Sequence, residues 1–350
     1  MVKKITVKKI LTDEETNSVI GTILPKGYFK KIIREDVDVY TEDGKILLRF
    51  RKNVLPNKNV EAAYTNLIEH ANRTTKNRGK CSGTQGKRDT RHNIPIKSNI
   101  IGYFDGMTLM QKFMVNVKGL KPVNCRQTSF TANEPKKWKR VIPLIKDIAK
   151  QYKQLFPKQY AYQYKQANET LYVIKGTPFS TVTTNLNVQT AAHTDRGNLE
   201  KSFGNLVVIG KGKYKGGYTG YPQYGIAVDV QSGDFLGMDI HQVHGNTPIE
   251  GKCGEYERLS LVSYLREGIV RKCKKDKIIT PKDYFGTPIS FKRNDKNHKN
   301  IYKKYNFKNK KSKKKSNKKS KKKSNKKSNK KSNKKTKRKT KNKTKLTSWF

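Results

Sequence analysis

The sequence predicts a mostly β core, an all-β barrel or jelly roll, supported by α-helices and followed by a disordered basic tail. Three observations predict it. Between residues 171 and 267 short apolar runs alternate with glycines, the pattern of small closed or double-layered β folds. Upstream, at 133–156, apolar residues recur at helical spacing instead. From about Lys272 the chain turns polar and reaches the repeat KKSNKKSNKKSNKK, which cannot bury enough apolar surface to fold.

Taken in chain order, the first element is a hairpin in VDVYTEDGKILLRFRK, where Val37 to Tyr40 and Ile46 to Phe50 flank an acidic turn ending in Gly44. The stretch at 72–91, NRTTKNRGKCSGTQGKRDTR, is polar, basic and without apolar period, which predicts a long loop of the functional or disordered kind. At 133–156 Trp138, Val141, Ile142, Ile145, Ala149 and Tyr152 follow the start signal Asn133-Glu134-Pro135, predicting an amphipathic helix with a kink or late start at Pro143. Strands are then expected in LYVIKG, FSTVTTNLNV, FGNLVVIG, YGIAVDV, DFLGMDI and RLSLVSYLRE, with Gly216, Gly217 and Gly233 serving turns between them.

The 350 residues carry a formal charge of +51, and 23 Lys and Arg with no acid lie between Lys308 and Lys345. The rest of the chain keeps +28, so the basic character is not confined to the tail. Such an excess seeks a polyanion, because each neutralised phosphate releases a counterion. Nucleic acid is the expected partner and an anionic membrane surface the second choice. No apolar run approaches the ~18 to 20 residues of a spanning helix, and the start MVKKITVKKILTDEE has no signal-peptide core. Cys81, Cys125, Cys253 and Cys273 lack any CxxC pairing, so reduced structural thiols in a reducing compartment are expected rather than a disulfide framework or zinc ribbon.

Three of the six histidines, His193, His241 and His244, fall in the strand-rich region. His193 and Asp195 are two apart, so on an extended segment they face the same side and share one cation. A second imidazole comes from further along the chain. Two imidazoles and one carboxylate on one face of an octahedron leave open positions, the arrangement of non-haem Fe(II) oxygenases. His244 and His241 are three apart and face opposite ways on a strand, so one alone serves as ligand. Downstream, Arg258-Leu259-Ser260 places a guanidinium fork and a hydroxyl on one side, suited to a distal carboxylate such as that of 2-oxoglutarate. The bland reading makes these ordinary polar residues at strand ends. Arg126 is read as a surface charge in preference to a second co-substrate contact.

The stretches HTDRGN at 193–198, KGGYTGYPQYGIAVDVQSGDFLGMDIHQVHGNTPI at 215–249 and RLSLVSYLRE at 258–267 resemble the catalytic core of the TET/JBP family of 2-oxoglutarate/Fe(II) dioxygenases, which hydroxylate the methyl group of thymine or 5-methylcytosine. The run HGNTPI followed by RLSLVSY is the more family-specific part, and NCRQTSFT at 124–131 extends it. The resemblance implies a double-stranded β-helix, with an N-terminal extension at 1–90, a dioxygenase domain at 91–275 whose core is 171–267, and the tail at 276–350. It implies His193, Asp195 and His244 as Fe(II) ligands, the choice of His244 over His241 resting on the following Gly-Asn-Thr-Pro. Arg258 and Ser260 would bind the 2-oxoglutarate C5 carboxylate, with O2 as the other co-substrate. Asn198, Tyr264 and Arg266 would contact the base. Arg266 departs from the methylcytosine enzymes, which carry a His there, so thymine, 5-methylcytosine or a related base remains the expected target. DNA is the expected partner, with no membrane or evident protein partner. The location is expected to be intracellular, with the tail resembling a nuclear localisation signal. Two rivals differ in class: a prolyl or lysyl hydroxylase acting on protein, and a non-enzymatic basic packaging protein.

Overall fold

The computed structural model describes residues 2–75, 78, 81, 96–107, 111–112, 123–195, 197–252, 254–273 and 278. The basic loop expected at 76–91, apart from residues 78 and 81, and the tail expected from residue 276, apart from residue 278, lie outside them.

Fifteen strands are present among the described residues: β1 (Lys3–Val7), β2 (Lys31–Ile33), β3 (Val37–Thr41), β4 (Ile46–Arg51), β5 (Ser98–Asp105), β6 (Cys125–Gln127), β7 (Thr181–Leu186), β8 (Gly204–Gly212), β9 (Lys215–Gly216), β10 (Thr219–Tyr221), β11 (Ile226–Val228), β12 (Phe235–Met238), β13 (Gly245–Asn246), β14 (Ile249–Glu250) and β15 (Tyr256–Tyr264). Nine of them form one sheet in the order β1-β3-β4-β12-β8-β15-β7-β5-β6. Four more form a second sheet, β13-β10-β11-β2, and β14 pairs with β9. The fold is therefore mostly β, as the apolar runs predict. The hairpin of β3 and β4 forms where expected, with Gly44 at φ 75° closing its turn. Its strands, and β1 beside them, are members of the nine-stranded sheet.

Side chains on a strand alternate between faces, and β8 and β15 use the two faces for different purposes. After a short first helix α1 (Asp13–Ser18) come two helices, α2 (Asn57–Ala71) and α4 (Pro135–Leu155), against which Val207, Ile209, Leu259 and Leu261 pack, meeting Leu67, Leu144, Ile148, Tyr152 and Phe156 in a buried cluster. Leu206 and Val208 face the other way, onto Tyr221, Ile226 and Val228 of the four-stranded sheet. Arg258 and Ser260, alternating with Leu259 and Leu261, are carried on that second face.

Several elements differ from expectation. The amphipathic helix does not start late at Pro143: α4 runs from Pro135 to Leu155 with Pro143 inside it. Pro143 lies on the exposed side, where water satisfies the carbonyl that its missing N–H leaves free. A short helix α3 (Ser129–Asn133) precedes it, and α5 (Pro157–Ala167) follows, each of the two longer ones beginning on a proline. The run LYVIKG is no strand. The Thr170 and Thr177 hydroxyls accept from the Tyr172 and Phe179 amides, and Ile174 donates to Phe179, so local bonds replace a ladder there.

The thiol expectation is corrected for two cysteines. Cys125 on β6 and Cys273, which follows the last helix α6 (Glu267–Lys272), form a disulfide across a separation of 148 residues. β6 pairs with β5 while α6 packs on the same strand, and Tyr172 and Ile269 join the two half-cystines in one apolar cluster. Cys81 is free, and Cys253 lies outside the described residues.

His70 on α2 is buried 4.8 Å from the Phe130 ring, and burial pushes its imidazole down to about 4. The unfolded chain takes up a proton near pH 6.5 that the folded chain refuses until about pH 4, so stability falls with pH across that window. Between pH 7 and 4.5 the wild type should lose about 2 kcal/mol more than His70→Leu, read by urea denaturation at both values. Parallel losses in the two proteins would refute it.

Candidate functional site

The structure joins two segments that are 51 residues apart in sequence. His193 and His244 form an isolated antiparallel bridge, each amide donating to the other's carbonyl at 2.8 and 2.9 Å. The Asp195 amide donates to Ile240 O, which continues the pairing and brings the carboxylate to the same place. The donor atoms of His193, Asp195 and His244 all lie within 4.8 Å of one another, the single such group of His, Cys, Asp and Glu among the described residues. The His193 Nε2 to Asp195 Oδ1 distance is 3.4 Å.

Both imidazoles are held in the orientation a metal requires. His193 Nδ1 lies 2.7 Å from Ala191 O, and His244 Nδ1 lies 2.9 Å from Gln242 O. A carbonyl accepts only from N–H, so each Nδ1 carries a proton and each Nε2 is the nitrogen left to face the cluster. Asn198 Nδ2 donates to the other Asp195 oxygen at 3.5 Å. Burial opposes the charge on His193, but hydrogen bonds to Asp195 and the Cys81 thiol raise it well above the ordinary imidazole value. Burial likewise opposes ionisation of Asp195, and the bond to His193 and the neighbouring His244 hold it below the ordinary carboxylate value. His244 is pushed down to about 4 by burial and then by His193. The cluster thus holds one proton between His193 and Asp195, in the place a divalent cation would take. With that proton displaced by a cation, the donor set becomes two neutral imidazoles and one carboxylate, which fits Fe(II).

His241 is not part of the cluster. Its ring is turned to solvent and pairs with Asp239 at 3.1 Å.

From His244 the chain runs directly to the second half of the site. The side-chain amide of Asn246 reaches Gly217 O and Thr219 Oγ1 at 3.3 and 3.1 Å, and the Gly217 amide donates to Pro248 O. Gly217 abuts Arg258: a Cβ there would lie 2.7 Å from Arg258 Nε, and its φ is +66°. Gly216, at φ +75°, would place a Cβ 1.9 Å from Pro248 O. These two glycines therefore do more than make a turn, since their bare backbones make room for the guanidinium and for the Thr-Pro segment. Gly233, at φ +87°, lies in the turn before β12 as expected. Arg258 is 3% exposed, and its guanidinium has no hydrogen-bond or ion-pair partner among the described residues. Burial lowers it from its ordinary value, against the influence of Tyr214 and Asp229. A buried cation without a partner calls for an anion. Ser260 faces the same way, and its hydroxyl accepts from Asn185 Nδ2 at 3.4 Å.

The residues expected to contact a base gather at the other end of β15. Tyr264 is buried with its hydroxyl 3.0 Å from Thr183 Oγ1. Arg266 bridges Asn198 through the backbone, forms an ion pair with Asp105, and lays its guanidinium 4.2 Å from the Phe104 ring centroid. Asp105 and Phe104, at the end of β5, are the partners of Arg266 there, and no motif announced them. Arg126 is not a surface charge. It is buried, its Nε donating to Gly106 O, with the Phe104 ring 5.9 Å away.

Residues 110–267 match the Tet/JBP family, described as the oxygenase domain of the 2OGFeDO superfamily. Among curated proteins the chain is 36% identical over 178 residues to thymine dioxygenase JBP1 of Trypanosoma brucei brucei, covering 50% of this chain and 20% of the relative. It is 30% identical over 270 residues to thymine dioxygenase JBP1 of Crithidia fasciculata, covering 75% and 31%. The bifunctional helicase and thymine dioxygenase JBP2 of Leishmania major is 33% identical over 181 residues, covering 52% and 15%. The chain thus spans less than a third of the length of these relatives. A solved structure, NgTET1 in complex with 5mC DNA, aligns with a TM-score of 0.46 at 16% identity, over 84% of this chain and 100% of that one. Over residues 110–267, somewhat under half of its length, the chain is thus similar to the oxygenase domain of the Tet/JBP family, and the relatives it matches are thymine dioxygenases.

Proposed function

We propose that the protein is a 2-oxoglutarate- and Fe(II)-dependent dioxygenase that hydroxylates the methyl group of a DNA base, thymine first and 5-methylcytosine second. The observation that carries this reading is the pairing of the His193, Asp195 and His244 cluster with a buried, partnerless Arg258 reached through Asn246 and Gly217. The relatives' name, thymine dioxygenase, supports the choice of base.

On this reading the two facing sheets are the halves of a double-stranded β-helix, and residues 91–275 make up the catalytic domain. His193, Asp195 and His244 would hold Fe(II), with 2-oxoglutarate and O2 as its co-substrates. Bound iron with these co-substrates supplies the oxidising power needed to break a methyl C–H bond. Arg258 and Ser260 hold the distal carboxylate, which fixes the keto acid in one direction. Asn198 steadies Asp195, and with Tyr264 and Arg266 it would line the space for a base. A stacked base cannot be reached, so the nucleotide is extruded at a cost of a few kcal/mol. The basic loop and tail supply phosphate contacts without sequence readout.

The test is nucleoside mass spectrometry of duplex DNA, with and without 5-methylcytosine, after incubation with the protein, Fe(II), 2-oxoglutarate and O2. A hydroxymethylated base that requires 2-oxoglutarate and is absent with His193→Ala is expected. Succinate formation with no altered base would move the substrate to protein or RNA, and neither product would favour the packaging reading.

A further inference from the structure

We infer that the Tyr214 hydroxyl is a further donor to the distal carboxylate of the dicarboxylate co-substrate, beside Arg258 and Ser260, and that Tyr214 thereby selects a dicarboxylate over a monocarboxylate keto acid. This rests on the reading of Arg258 as the co-substrate anchor.

The placement of Tyr214 follows from the register of the sheet. Arg258 on β15 lies directly opposite Gly210 on β8, so the two residues share a face. The Tyr214 hydroxyl sits where a side chain on Gly210 would be, 2.5 Å from the position of its Cβ. Any larger residue at 210 would displace it. The ring is steadied by Tyr256, centroid to centroid 5.5 Å, two residues before Arg258 on the same strand and face. Gly217 clears the other side of the guanidinium. Two glycines and two tyrosines thus surround one cation.

The hydroxyl itself has no use in the structure as it stands. It is buried and has no hydrogen-bond partner among the described residues. Buried hydroxyls are nearly always bonded, and one left unpaired is costly. Burial raises the Tyr214 phenol above its ordinary value, so at neutral pH it carries its proton and can donate. The buried guanidinium of Arg258, opposite Gly210 and electrostatically coupled to Tyr214, also has no hydrogen-bond or ion-pair partner among the described residues. A carboxylate with two oxygens and four lone-pair sites satisfies both at once, the fork of Arg258 taking one edge and the phenol another. A keto acid without the distal carboxylate satisfies neither.

The experiment is isothermal titration of the full chain loaded with Mn(II), a redox-inert stand-in for the iron, with 2-oxoglutarate and separately with 2-oxopentanoate, which has a methyl group in place of the distal carboxylate. Tyr214→Phe should weaken 2-oxoglutarate binding about tenfold, the scale of one hydrogen bond to a charged group. It should leave 2-oxopentanoate binding and Mn(II) affinity unchanged and the thermal midpoint unchanged or raised, since a buried unpaired hydroxyl is removed. A residue that only shaped the recess would move both keto acids together, and that result overturns the inference, as does unchanged 2-oxoglutarate binding in the variant. If the wild type binds 2-oxoglutarate and Arg258→Lys weakens it while Tyr214→Phe does not, the inference fails and the function stands. If the wild type does not bind 2-oxoglutarate at all, both fail.

Discussion

Alanine at His244, His193 or Asp195 should abolish stoichiometric metal binding and lower turnover by at least about a hundredfold, beyond the 10- to 100-fold usual for residues that only support a ligand. The three donor atoms lie within 4.8 Å of one another and are pre-aimed, each imidazole by a bond from Nδ1 to a carbonyl two residues earlier. Removing one leaves two donors, too few to hold a divalent cation against water. The bridge between residues 193 and 244 is made by main-chain groups, so it persists in the alanine variants and the fold should survive. His241→Ala is the internal control. Its ring pairs with Asp239 in solvent, so metal content and turnover should match the wild type. Elemental analysis of protein dialysed against Fe(II) under anaerobic conditions separates the two histidines. A His244→Ala protein that keeps its metal, or a His241→Ala protein that loses it, would refute the assignment.

Arg258→Met should separate stability from function. The guanidinium is buried with no hydrogen-bond or ion-pair partner among the described residues, so its desolvation is only partly offset, by Tyr214 and Asp229, in the free protein. Replacing such a charge by an apolar side chain of similar length is expected to leave the thermal midpoint unchanged or raise it. Binding should move the other way. Truncating one partner of a buried charge pair costs about 2–5 kcal/mol, so the 2-oxoglutarate KM should rise by roughly 30-fold or more while kcat at saturation changes little, because the anchor grips ground and transition states alike. Arg258→Lys should fall between, since an ammonium keeps the charge but not the planar fork. A variant that is less stable and keeps its KM would show that Arg258 braces the sheet instead of binding a carboxylate.

Much of the site was legible because its signals are local. His193-x-Asp195 and Arg258-x-Ser260 are pairs at strand spacing, and the extended backbone alone puts each pair on one side. The glycine-punctuated runs marked β7, β8, β11, β12 and β15, and the helical period marked α4. Where local bonding competes with a ladder the pattern misleads, as in LYVIKG, whose Thr170 and Thr177 hydroxyls take the amides a strand would have paired. Pro143 misled for the opposite reason: on an exposed helix face its missing N–H costs little enough that tertiary packing of Leu144, Ile145 and Ile148 carries the helix through.

What sequence alone determined, then, is the mostly β class of the fold, the side-chain types of the His193, Asp195 and His244 cluster and the face each pair shares, because side-chain period and polarity are properties of a few consecutive residues. Only the tertiary structure decided which distant segments meet. The register of β8 on β15 sets Tyr214 over Gly210 and beside Arg258, and the packing of β6 and α6 on β5 joins Cys125 to Cys273. The same sheet edge buries Arg126 and brings Asp105 to Arg266. Such pairings depend on hydrogen-bond register and on which faces are buried, quantities summed over the whole sheet and written in no single segment of the chain.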